Sequence, residues 1–200
     1  MTLWGLLLIK LPGPEVADAV RLTVTGVHEL LGRSSAGAAE VIARDKLGLG
    51  AGGYGTLLAT VGVGGLLGAL LVAGPLSHAA QKGRILMTAG LAFPTLLLGF
   101  AYTTTLTMAY VVLFATGMAM ITFNALSNGV LQLLVEEKYR GRLMAFYSLV
   151  FVGLSQAVGS FALGALAGVV SAPHAIAISA VVLMLASLFA LKYSDFWRRV

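Results

Sequence analysis

From Tyr54 to Leu191 the chain alternates long stretches that carry no charged residue with short polar connections. Five apolar runs result, at 54–76, 85–102, 106–134, 143–168 and 175–191. Each approaches or exceeds the roughly 20 residues needed to cross a hydrocarbon core about 30 Å thick. The runs are apolar on every face rather than alternating, which predicts helices and argues against the ten-residue strands of a membrane barrel. A helix also satisfies its own backbone in lipid. The expected fold class is therefore all-α, a polytopic transmembrane helix bundle with five clear spans.

The connections set the orientation, because Lys and Arg beside short loops are retained on the cytoplasmic side. Lys82 and Arg84 lie between the first and second runs, Lys138, Arg140 and Arg142 between the third and fourth, and Lys192, Arg198 and Arg199 after the fifth. The alternate connections, 103–105 and 169–174, contain neither Lys nor Arg. All three basic sites fall on one side, so the expected C-terminus is cytoplasmic and the expected location is a cell membrane, crossed several times.

Composition adds weight to this reading. Hydrophobic residues make up 58% of the chain and charged ones 10%, against about 25% charged in an average soluble domain. The net charge of +5 is accounted for by membrane anchors facing anionic lipid, so the lipid bilayer is the expected partner and nucleic acid is not. There is no cysteine, which removes disulfides, iron–sulfur clusters and thiolate catalysis. His28, His78 and His174 are far apart in the sequence, so no metal site is expected. Nor is there a Gly-rich phosphate loop ending in Lys and Ser or Thr. No cofactor and no enzymatic activity are expected.

The chain divides into an N-terminal segment, 1–50, and a five-helix transmembrane domain, 51–200. Within the first lies a charged candidate span at 19–44, which carries Arg21, His28, Glu29, Arg33 and Glu40. A charge at the centre of a span costs about 2.5–3.5 kcal/mol on the insertion scale, while a good apolar residue returns about 0.3–0.6 kcal/mol. Glu29 and Arg33 are four apart and share a helix face. Two readings stand: a surface-lying helix with solvated charges, or a sixth span whose ion pair lines a protein-walled pathway.

Two strings carry a family resemblance. The first runs Ala43-Arg44-Asp45-Lys46-Leu47-Gly48-Leu49-Gly50-Ala51-Gly52-Gly53-Tyr54-Gly55 and continues into Val61-Gly62-Val63-Gly64-Gly65-Leu66-Leu67-Gly68-Ala69. It resembles the seventh-to-eighth span junction of the major facilitator superfamily, in particular the bacterial exporters similar to enterobactin-type siderophore exporters. The second, Glu137-Lys138-Tyr139-Arg140-Gly141-Arg142-Leu143-Met144-Ala145-Phe146-Tyr147-Ser148, resembles the junction of the tenth and eleventh spans. The resemblance, from about Val41 onward, implies the C-terminal half of a twelve-span secondary transporter that exports small molecules of unknown identity. It also implies a second copy or a separate N-terminal half as partner, because the superfamily's substrate site lies between two halves that rock against each other. The family's cytoplasmic loop motif is matched by Gly74, Gly83 and Arg84 without its acidic residue, and by Arg140, Gly141 and Arg142 in the later loop. A non-transporting membrane interaction protein, or a truncated transporter fragment, is the alternative.

Two constellations stand without the family. Gly64 with Gly68, and Gly164 with Gly168, are each four apart, a spacing that opens a groove where another helix backbone approaches closely. Asn124, Asn128 and Gln132 stack on one face of the third run, where buried amides need a partner or a wet cavity. They read either as the wall of a transport pathway or as interhelical hydrogen-bond glue, with Ser155, Gln156 and Ser160 on the fourth run as partners to test. Arg140 and Arg142 read as an anchor at the end of the fourth run, or as an ion-pair latch with Glu136 or Glu137. None of the five runs contains an Asp, Glu, Lys, Arg or His within its core, so proton coupling would fall to Glu29, to Glu40 or to another chain.

Overall fold

The computed structural model describes residues 42–44, 47–77, 82–134, 137, 141, 145 and 148–193. All regular structure among them is helical. The elements are α1 (Ala51–Ala73), α2 (Lys82–Ala101), α3 (Leu106–Leu134), a π-helical segment (Ser148–Leu154) that runs directly into α4 (Ser155–Val170), and α5 (Ala172–Tyr193). Three of them hold stretches long and apolar enough to cross a membrane: Ala51–Ala73, Arg84–Ala101 and Leu106–Gly129. Shorter apolar stretches, Ala157–Val170 and Ala172–Leu188, lie in α4 and α5.

Local chemistry sets the helix ends. The chain enters α1 through Gly48, whose φ of +63° is left-handed backbone that favours glycine. Gly50 precedes the helix in extended conformation without a side-chain cap. At the other end Gly74 N–H donates to the Leu70 carbonyl at 2.8 Å, and Pro75 prevents the helix from continuing. This ends α1 at Ala73, before the apolar run itself ends at Leu76. Thr105 accepts a hydrogen bond from the Met108 N–H at 3.4 Å, the geometry of a residue capping the start of α3. Ser171 alone joins α4 to α5; its φ of 79° reverses the chain in one residue, and Pro173 fits the first turn of α5, where its missing N–H is not needed. The polar connection expected at 169–174 is thus mostly helix. The run at 143–168 is likewise not one regular helix. Its continuously described part, from Ser148, opens with the π-helical turns, whose wider winding leaves no mark on hydropathy.

α1 packs most extensively on α3, α2 on both α3 and α5, and α4 on α5. The larger core joins Leu57, Phe93, Leu97, Phe100, Leu113, Ile176 and Leu183 with Ile42 and Ala43 from the turn before α1. A smaller cluster of Leu86, Ala89, Phe123 and Leu126 closes the end nearest Arg84. Outside these, Leu66, Leu70 and Val111 are exposed, and Phe161 and Val169 reach 82% and 84%. In water such a surface would drive association; lipid is as apolar as these side chains.

Candidate functional site at the α1–α3 seam

Glycines bring α1 and α3 together. A β-carbon on Gly64 would fall on the Phe114 carbonyl oxygen, and one on Gly117 on that of Val61. A β-carbon on Gly68 would lie 2.6 Å from the Met118 carbonyl oxygen and 3.0 Å from Thr122 Oγ1, and one on Gly65 would lie 2.9 Å from Ile121 Cγ1. Residue numbers rise together along both helices, so the two run parallel. Near the end remote from Arg84, Thr56 Oγ1 donates to the Gly53 carbonyl at 2.7 Å. Its single proton used there, it accepts from the Tyr110 hydroxyl at 2.8 Å. Backbone contact and a cross-helix hydrogen bond thus fix the same seam.

The amides continue that seam. Gly117, Ile121, Asn124 and Asn128 are spaced four, three and four apart, which places them on one face of α3. Gly117 and Ile121 both touch α1, so Asn124 and Asn128 extend the α1-facing stripe toward the end that carries Arg84. Both amides are half-buried. Asn128 Oδ1 is fully buried and accepts no hydrogen bond, a condition that costs about 1–3 kcal/mol. Thr116 and Thr122 on the same helix are also buried, and the Thr116 hydroxyl is turned back onto the Val112 carbonyl at 2.7 Å. Asn128 therefore presents an acceptor that no described neighbour uses.

The remaining residues singled out by sequence are distributed more widely. Gln132 and Gln156 lie on α3 and α4, with side chains outside the described residues. Ser160 is exposed on α4, a helix that rests chiefly on α5. A β-carbon added at Gly164 or at Gly168 would meet no described atom within 4 Å; among the described residues they face open space, since spacing makes a groove but supplies no helix to fill it. Gly74 forms the turn after α1, Arg84 is exposed in the first turn of α2, and Gly141 is exposed. Gly83 lies in the same turn as Arg84. Glu29, Arg33, Arg140 and Arg142 lie outside the described residues. Among the described residues no three His, Cys, Asp or Glu come together as metal ligands would.

Three features escaped the pattern of residues. Gly117 is a lone glycine whose partner depends on helix register, and Tyr110 pairs with Thr56 across 54 positions. The third, Ser187 donating to the Gly90 carbonyl, had a signal: Gly90 stands four before Pro94 and so lacks its helical donor.

A family model described as transmembrane secretion effector matches residues 25–195. Neither a curated protein nor a solved structure matches the chain. With helices of membrane-spanning length packed through glycines, and a match over most of its length, the chain belongs to the transmembrane secretion effector family of major facilitator transporters.

Proposed function

We propose that this membrane transporter exports small amphipathic molecules from bacterial cells, working as the C-terminal half of a major facilitator unit similar to the enterobactin-type exporters. The observation that carries this reading is the buried, unpartnered Oδ1 of Asn128 beside Asn124, an acceptor retained in a helix that carries no charged residue. Such a group is costly unless something donates to it in the working cycle. A second copy, or a separate N-terminal half, faces these helices and completes the pathway. Arg84 and the other basic sites lie on the cytoplasmic side, as does the C-terminus.

Export is tested by expressing the chain in bacteria lacking their main exporters and following retention of a fluorescent amphipathic dye. Faster loss than in cells carrying Asn128→Leu is the expected result; equal retention removes the pathway role of the amide. Orientation is tested with a single cysteine at Thr2, since the chain has none of its own. Protection from an impermeant reagent in intact cells means that 19–44 crosses the membrane.

A further inference from the structure

On α2, Arg84, Thr88, Leu91 and Thr95 are spaced four, three and four apart and so share one helix face. The buried face of α2 lies opposite, through Leu86, Phe93, Leu97 and Phe100. A groove of about 430 Å3 opens along the outward face, lined by Thr88, Leu91, Ala92, Thr95 and Leu96. Both hydroxyls are turned back onto their own helix, Thr88 to the Ile85 carbonyl at 2.9 Å and Thr95 to the Leu91 carbonyl at 2.8 Å. The groove is thus apolar although two of its five residues are threonines, and Ala92 and Leu96 anchor its floor to the core.

We propose that this groove holds an anionic phospholipid, with the phosphate at Arg84 and one acyl chain lying along Thr88 to Leu96. The charge and the length both fit that occupant. Arg84 is exposed one helical turn before Thr88 on the same face, and a guanidinium carries five donors, so a phosphate can share it with other partners. Arg84 and Leu96 are twelve residues apart, about 18 Å of helix, close to half of a hydrocarbon core about 30 Å thick. The groove itself, from Thr88 to Leu96, covers about 12 Å of that length, and with the turn that carries Arg84 the site reaches across one leaflet. A zwitterionic lipid fills the groove equally well but gains less at its mouth, where one cation favours an anionic head group about fivefold. The leaflet is the cytoplasmic one if the basic connections face the cytoplasm; the site itself does not depend on it.

The test uses the full chain with Trp4→Phe and Trp197→Phe, and with Thr95→Trp as a reporter at the rim. The protein is reconstituted in phosphatidylcholine vesicles containing brominated phosphatidylglycerol or, at equal mole fraction, brominated phosphatidylcholine. Quenching should favour the anionic lipid about fivefold, and Arg84→Gln should bring the two lipids toward parity. A reporter at Phe161, exposed on α4, should show no preference and serves as the control for general charge attraction. Equal quenching by both lipids at Thr95, or a preference that Arg84→Gln leaves intact, overturns the proposal. So does full reversal by inorganic phosphate, which would make Arg84 a simple anion site.

Discussion

The hydroxyl of Ser187 on α5 lies 3.1 Å from the carbonyl oxygen of Gly90 on α2, and Gly90 is the residue whose carbonyl Pro94 leaves without a helical donor. The same hydroxyl lies 2.9 Å from the Leu183 carbonyl, so one proton is shared between its own helix and the gap in the neighbouring one. Gly90 also suits the site sterically, since a β-carbon there would sit 3.1 Å from the Phe123 ring. A proline, a glycine and a serine thus join three helices.

Ser187→Ala should lower stability by about 1 kcal/mol, within the range found for hydrogen bonds between membrane helices. With Pro94→Ala in place, the Gly90 carbonyl regains its backbone donor and the serine substitution should cost less. Unfolding of the four variants in mixed micelles measures this; equal costs in both backgrounds would refute the coupling.

Gly64→Ala and Gly117→Ala should each destabilise by about 1–3 kcal/mol, because the added carbon meets a backbone carbonyl that has no room to retreat. Gly164→Ala and Gly168→Ala, facing open space, should change the stability of the isolated chain by less than about 0.5 kcal/mol. Thermal melts of the four purified proteins separate a seam from an empty groove.

Thr56 both donates and accepts, whereas Tyr110 only donates into the pair. Thr56→Val should therefore cost more than Tyr110→Phe, with each hydrogen bond worth about 0.6 kcal/mol. Tyr110→Phe should have no further effect once Thr56→Val is present, and an additive double variant would sink the pairing of the two hydroxyls.

Asn128→Leu should leave stability unchanged or raise it by about 1 kcal/mol, since it removes a buried acceptor without a partner. Export should fall in the same variant. A loss of about 2 kcal/mol or more, read from a melt beside the dye assay, would instead make the amide a structural tie between helices.

Much of the fold was legible because membrane helices announce themselves by length: nothing else needs so many uncharged residues in a row. Ends were less legible: hydropathy carries the first run to Leu76, whereas Gly74 and Pro75 stop α1 at Ala73. The π-helical turns at Ser148–Leu154 were not legible, because their side chains are as apolar as those of a regular helix. Spacing alone treats Gly64 with Gly68 and Gly164 with Gly168 alike; among the described residues only the first pair meets another backbone, because α3 happens to present Phe114 and Met118 there. The stripe of Asn124 and Asn128 was visible as a stripe. Its direction was not, since that follows from Gly117 and Ile121 touching α1.

The α1–α3 seam also has a mechanical meaning. Where carbonyl oxygens occupy the places that β-carbons would take, the two helices are keyed like a shaft in its slot. Sliding one past the other by a single residue, about 1.5 Å, carries a side chain onto a carbonyl, and rolling either one does the same. The pair can travel only as a single beam. Any rocking that opens and closes a pathway in this protein must then be taken up elsewhere, and α4, which among the described residues rests chiefly on α5 and turns its glycines to open space, is the element placed to give.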